Sequence, residues 1–295
     1  MDKSNKGIIY LLLAAFLYSI MPLFIRWLNA GNVPPMSQVF LRYIFAFLGA
    51  ATYFYLSKAK FKLDQKTLPL LIIMAVFGYA LTNLFFTYGM IYTQVTTALF
   101  IFYSFAIMTP LLAFIFLKEK ANQYNWIGLA LSLAALFFLF QPNTLTTWKV
   151  GALFALLSAL GQSFYLIARR KLMVYSSSQI LLSSTFAGVV TLGILALIFE
   201  RSFYFGTAGI KTLQPETWLL TVIFGLDNFF AWLLMSKGFQ LVKASLGSLI
   251  LLVENVFVVG LSYLFLNEIP TLLTLLGGLL VLSAAAMVAL KGDNS

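Results

Sequence analysis

The chain has 295 residues, of which 61% are hydrophobic and only 9% are charged, and its formal net charge is +10. So few charged residues cannot cover the surface of a soluble domain, and this class of protein is excluded. Cysteine and histidine are both absent, which excludes disulfides, thiol and imidazole chemistry and nearly all zinc sites. We therefore expect no metal, no cofactor and no enzymatic activity.

The apolar residues fall into long runs, each near the ~20 residues that a helix needs to cross a bilayer. Lipid offers no hydrogen-bond partners to the backbone, so such runs must be helices. The predicted fold class is an all-α polytopic membrane protein with about ten transmembrane helices. In chain order, the predicted spans are 7–28, 36–57, 68–91, 96–117, 124–141, 148–169, 178–200, 215–238, 244–266 and 271–290.

The basic residues lie unevenly in alternate loops, and this bias predicts the orientation. One set of loops carries 14 of the 19 Lys and Arg residues, and the other carries Lys149, Arg201 and Lys211. No basic, aromatic-rich segment suggests a nucleic-acid partner. We expect a multi-pass protein of the cell (inner) membrane with both termini in the cytoplasm. Arg26 and Arg42 lie inside spans 1 and 2, where we expect snorkelling to the interface, with binding of a substrate carboxylate or phosphate as the alternative.

The sequence contains an internal repeat of five helices. Span 4 ends with Phe116–Glu119 and span 9 ends with Phe265–Glu268, 149 residues later. The predicted units are 1–142 and 143–295. The shift of 149 also carries Gly89 onto Gly238 and Gly128 onto Gly277, and a shift of 144 carries Ser19 onto Ser163.

Because five is an odd number, the second unit enters the membrane from the opposite side. The Glu119 loop is then predicted to be cytoplasmic and the Glu268 loop external. Inverted repeats of this kind suit alternating access, with a substrate site near the midplane between the halves. The alternative is a duplicated scaffold without transport.

Over about residues 7–290, the sequence resembles the EamA-type drug/metabolite transporter superfamily. The matching features are the endings Phe116–Glu119 and Phe265–Glu268, each followed by a glycine in the next helix. The segment Leu252–Phe257 looks like the Glu-Pro-Val/Leu-Phe element of that family, with Asn255 in place of the proline. The resemblance implies a ten-helix exporter, importer or exchanger of small metabolites, amino acids, nucleotide-sugars or drugs.

Two carboxylates lie deep inside predicted spans, where a charge is costly and marks function. Glu254 is near the middle of span 9, and Asp227 has a similar place in span 8, followed by Asn228. At ~1.5 Å rise per residue both carboxylates should lie near the same depth. They could accept protons, hold a cationic substrate group or be neutralised by a donor from a neighbouring helix.

Uncharged side chains give further candidates for lining a substrate cavity. Asn83, Ser104 and Gln162 could instead form hydrogen bonds between helices. Tyr103 and Tyr88 belong to an aromatic group around spans 3 and 4 that could stack on a planar ligand, with lipid contact as the alternative. At the helix exits, Glu119 and Glu268 are predicted to be gates or caps rather than direct ligands.

The sequence thus predicts a secondary active transporter of a small amino acid-like or drug-like solute that works by alternating access. No Gly-rich phosphate loop is present, so ATP is not the driving force. Proton coupling through Glu254 or Asp227 is a hypothesis, and facilitated diffusion or exchange is equally permitted. The alternatives are a channel-like or lipid-handling protein and an intramembrane enzyme. The expected partners are a small-molecule substrate and the lipid bilayer, with the protein as a monomer or homodimer.

Overall fold

The computed structural model describes residues 3–62, 64–117, 123–140, 146–241, 247 and 250–291. Most of these residues are helical, and no strand occurs among them. The main helices are α1 (Lys3–Ala30), α2 (Pro35–Leu56), α3 (Leu68–Tyr92), α4a (Val95–Tyr103), α4b (Phe105–Leu117), α5 (Gln123–Phe140), α6 (Thr146–Lys171), α7 (Ser177–Phe199), α8 (Pro215–Phe239), α9 (Glu254–Leu266) and α10 (Leu272–Lys291). Two short helical segments, Arg201–Phe205 and Ile210–Thr212, lie between α7 and α8.

The helices agree with a polytopic membrane protein. Within the described ranges, seven are long and apolar enough to cross a membrane, and three shorter apolar helices lie in α5, α9 and α10. Many large apolar side chains on these helices face outward, as lipid-facing residues do. The exact count of ten spans stays a prediction, because the described apolar stretches of these three helices, Trp126–Leu139, Glu254–Leu266 and Leu272–Met287, are shorter than the other seven.

The principal helix contacts are kept when α1–α5 and α6–α10 are exchanged. Helix α1 packs on α8 as α3 packs on α6, and α2 contacts α8 as α7 contacts α3. The pairs α2–α7 and α5–α10 map onto themselves. A duplicated five-helix unit predicts this pattern. The predicted boundary between 142 and 143 lies outside the described residues.

The connections between helices gather at two ends of the bundle. One end of the bundle is here called the Glu268 end. There Arg26, near the C-terminus of α1, donates hydrogen bonds to Thr93 O and Glu268 Oε1, which lie in the connections at 93–94 and 267–271. The opposite end, here called the Gln179 end, joins the 57–67 connection to the start of α7, because Gln179 exchanges two hydrogen bonds with the Lys62 backbone. This grouping follows the predicted alternation of loops, and the external location of the Glu268 end stays a prediction.

The structure interrupts two spans that the sequence predicts as continuous helices. Ser104 separates α4a from α4b, and a turn at Leu252–Val253 precedes α9. The repeat shift of 149 carries Ser104 onto Val253. At both breaks the backbone forms tighter i→i−3 bonds, and a side chain binds a carbonyl three residues back: Ser104 Oγ donates to Ile101 O and Asn255 Nδ2 to Leu252 O. The break before α9 thus forms with Asn255 in place of the proline of the family element.

Close packing between α6 and the end of α3 gives a test of the fold. A Cβ on Gly151 would lie 2.7 Å from the backbone atoms Thr93 N and Tyr92 C. Gly151→Ala should therefore destabilise the protein by about 1–3 kcal/mol, the usual range for overpacking. Thermal unfolding of the purified protein in detergent measures the effect.

Gly260 in α9 is the matched control, since a Cβ there would meet no described atom within 4 Å. Gly260→Ala should leave the unfolding temperature unchanged or raise it, because alanine favours the helix more than glycine does. Equal losses in the two variants would contradict the close approach of α6 to α3.

Candidate functional site

Three helices place a polar side chain at the same level of the bundle. Tyr18, Asp227 and Glu254 each lie twelve residues, or about 18 Å of helical rise, from the terminus of their helix at the Glu268 end. Tyr18 is within electrostatic range of both carboxylates. The structure thus brings the two predicted carboxylates around one tyrosine, halfway along the bundle.

Glu254 lies where the interrupted helices meet. It is the first residue of α9, it is half-buried, and its Oε2 accepts a hydrogen bond of 2.6 Å from the hydroxyl of Tyr103, the last residue of α4a. No basic side chain of the described residues forms an ion pair with it. Discontinuous helices are where inverted-repeat transporters build their substrate and ion sites. Glu254 therefore joins the two halves by a bond that a change of protonation can alter.

Asp227 is buried on α8, with 7% of its surface exposed. Its Oδ2 has no hydrogen-bond partner among the described residues. The neighbouring Asn228 is equally buried and donates to the sulfur of Met21 at 3.8 Å. Because a buried polar atom without a partner is costly, the free oxygen of Asp227 is a candidate contact for a ligand.

Arg42 does not snorkel, and the prediction that it does so is wrong. Only 1% of its surface is exposed, because its face of α2 packs against α3 and α8 rather than lipid. Its Nη2 donates to Asn83 Oδ1 at 3.0 Å, and the guanidinium carbon lies 4.6 Å from the centre of the Phe224 ring. Asp227 is within electrostatic range. Arg42 is thus a buried cation near Asp227. Tyr18, Arg42, Asp227 and Glu254 are called the polar cluster from here on.

Aromatic rings form one wall of this cluster. Tyr43 stacks on Tyr79 with ring centres 5.5 Å apart, and Tyr79 contacts Tyr165 of α6 at 5.9 Å. Asn83 fixes the polar side of the wall, since its Nδ2 donates to Tyr79 O while its Oδ1 accepts from Arg42. Tyr79 lies in a π-helical segment of α3, Met74–Leu81, and such segments are frequent at functional sites.

The other predicted candidates have different surroundings. Gln162 is half-buried on α6, one turn before Tyr165, and the Ser104 hydroxyl is used at the helix break. Tyr88 lies outside the cluster, in a stack with Phe154 and Tyr92. Glu119 lies outside the described residues. The roles of all these residues as ligands or gates stay predictions.

Arg26 and Glu268 form an ion pair at the Glu268 end of the bundle, and the sequence did not predict this pairing. Arg26 donates to Ile91 O, Thr93 O and Glu268 Oε1, at 3.1, 2.8 and 2.6 Å. Glu268 Oε2 accepts from Val95 N at 2.7 Å and thereby caps α4a. Arg26 therefore binds within the protein instead of snorkelling, and it ties α1 to two connections.

Glu200 forms a second carboxylate cap at the same end, and sequence reasoning missed it. It accepts hydrogen bonds from Met36 N, Ser37 N and Ser37 Oγ at the start of α2. Tyr204 adds a hydrogen bond to Ser37 Oγ, and burial raises the pKa of Tyr204, which keeps its proton in place. The sequence did hold a signal for this cap. A helix N-terminus is stabilised by a nearby negative charge, and the helix that begins at Pro35 has no acidic residue of its own in its first turn.

The comparisons with known proteins agree with this architecture. The profile of the EamA-like transporter family matches residues 5–141 and again 149–290. The chain belongs to the EamA-like transporter family, a class of membrane-spanning transporters. A crystal structure of another protein superposes over 99% of each chain with a TM-score of 0.68 at 15% identity, which shows that the fold is shared.

Similar proteins include transporters that are named for different solutes. The chain is 24% identical to the pseudopaline exporter CntI of Pseudomonas aeruginosa over 96% of each chain. It is 22% identical to the S-adenosylmethionine uptake transporter of Rickettsia prowazekii, over 71% of this chain and 68% of that protein. One relative exports and the other imports, so membership of the family gives transport without its direction.

Proposed function

We propose that this protein is a secondary active transporter that moves a small amino acid-like or drug-like solute by alternating access. The observation that carries the proposal is the Glu254–Tyr103 hydrogen bond. It joins the two symmetry-related helix breaks, beside a polar cluster halfway along the bundle. A site at that level can be exposed to either end when the two five-helix halves rock against each other.

The carboxylate caps support a state that is closed at the Glu268 end. Arg26, Glu268 and Glu200 tie α1, α2, α4a and the connections there by several charged hydrogen bonds. We place the protein in the inner membrane with both chain termini in the cytoplasm. In this predicted orientation the Glu268 end is external. The solute would then reach the cluster from the cytoplasm.

Proton movement through Glu254 or Asp227 is the proposed coupling, with exchange as the alternative. The decisive experiment loads proteoliposomes of the purified protein with a mixture of metabolites, including the amino acids. Release is followed by mass spectrometry with and without a pH gradient. Selective, saturable release of one class is the expected result, and no release from vesicles with folded, oriented protein would contradict the proposal.

One observation favours a second function, the handling of lipids. A groove of about 570 Å³ between α1 and α8 is lined by Leu17, Leu226, Phe230 and other apolar residues and reaches Asp227. Leu226 and Phe230 are exposed and would face lipid. A fluorescent-lipid scrambling assay separates the two functions, because only a lipid-handling protein accelerates scrambling without saturable solute release.

A further inference from the structure

We propose that the polar cluster is a two-point receptor for a zwitterion. In it, the Arg42 guanidinium binds a carboxylate of the solute and the Asp227 carboxylate binds an ammonium group. The inference rests on the proposed transport function and names its substrate class as molecules that carry an amino-acid head group.

The first point is a buried cation that lacks an anion. Arg42 has neutral neighbours: the amide of Asn83 and the rings of Tyr43 and Phe224. Its Nε has no hydrogen-bond partner among the described residues. Burying an unpaired charge costs several kcal/mol, and the guanidinium fork fits a carboxylate with two parallel hydrogen bonds. An anionic group of the solute would satisfy both the charge and the Nε donor.

The second point is a buried anion that lacks a cation. Asp227 is 7% exposed, and its Oδ2 has no partner within the described part of the chain. No described lysine or arginine nitrogen lies within 4.0 Å of the Asp227 carboxylate. Among the described residues the one ion pair joins Arg26 to Glu268. An ammonium group has three donors, one of which can satisfy the free oxygen.

The two charges are near each other without touching. Arg42 and Asp227 are within electrostatic range, yet among the described contacts neither an ion pair nor a hydrogen bond joins them. A zwitterion between them would make a charge-assisted hydrogen bond of about 2.8 Å at each end. Glu254 stays bound to Tyr103 and is not needed for this contact. The side chain of the solute would then lie next to the aromatic wall that contains Tyr79.

Three sets of probes in proteoliposomes test the inference: the standard α-amino acids, their α-carboxamides and their N-acetyl derivatives. The wild type should release the free amino acids at least about tenfold faster than either derivative, the usual loss for a missing hydrogen bond to a charged group. Arg42→Gln should abolish the preference over the carboxamides, and Asp227→Asn should abolish the preference over the N-acetyl derivatives.

Matched controls remove a charge of the same sign from the surface. Arg201 and Glu216 are exposed at the Glu268 end, and Arg201→Gln and Glu216→Gln should keep both preferences. Arg42→Lys keeps the buried charge without the planar fork and should retain part of the selection even if Arg42→Gln fails to fold. The thermal unfolding temperature in detergent, measured with and without the amino acids, reports both folding and binding.

The possible failures are distinguishable. Release of other solutes, with no preference among the three sets and no stabilisation by amino acids, would overturn the zwitterion receptor and leave the transport function intact. No release of any solute, together with an unchanged unfolding temperature, would remove both. Stabilisation by amino acids that survives in both Arg42→Gln and Asp227→Asn would place the binding elsewhere.

Discussion

Replacing Glu268 with glutamine is expected to open the Glu268 end of the bundle. The substitution removes the charge from a 2.6 Å ion pair with Arg26 and weakens the cap on the Val95 N–H. Hydrogen bonds to charged groups are worth about 1.5–3 kcal/mol. If the end opens and closes during transport, the equilibrium should shift toward the open form by roughly 10- to 100-fold.

The absence of cysteine from the sequence makes this shift measurable. Asn29→Cys and Ile269→Cys place spin labels on two exposed positions at that end, and electron paramagnetic resonance gives the distance between the labels. Glu268→Gln should add a longer-distance population, whereas Glu216→Gln, at an exposed acid of the same end, should not. Identical distance distributions in all three proteins would show that the ion pair does not hold this end closed.

Replacing Glu254 with glutamine is expected to abolish accumulation driven by a pH gradient while leaving downhill exchange. A gradient of one pH unit is worth about 1.4 kcal/mol per proton, which allows up to roughly tenfold accumulation when one proton moves with each solute. Glutamine fills the space beside Tyr103 but cannot exchange a proton. The tenfold accumulation should therefore fall to simple equilibration across the vesicle membrane.

Tyr103→Phe is the matched variant for Glu254→Gln. It removes the 2.6 Å hydrogen bond and keeps the carboxylate, so accumulation should persist with an altered pH profile. Uptake of the solute identified in the release experiment, measured at several pH values on each side, checks both variants. If Glu254→Gln and Asp227→Asn together left accumulation and its pH dependence intact, proton coupling through these residues would be wrong.

The order of the helices along the chain and the duplication followed from the sequence, for physical reasons. In lipid, a long apolar run can satisfy its backbone only as a helix, so the runs themselves located the spans. Shifted matches such as Glu119 with Glu268 then exposed the repeat. The depth of Asp227 and Glu254 inside their spans likewise marked them as candidates, because a membrane charge is too costly to be incidental.

Only the tertiary structure decided which helix faces meet. Arg26 and Arg42 have similar positions near the ends of apolar spans, and from the sequence both could reach the interface. Packing instead turns Arg42 toward Asn83 and Arg26 toward Glu268, 242 residues away. The breaks at Ser104 and Val253 also depend on local hydrogen bonds that hydropathy does not record. A one-dimensional pattern gives the depth of a side chain along the membrane normal, whereas its rotation toward lipid or protein is fixed by the neighbouring helices.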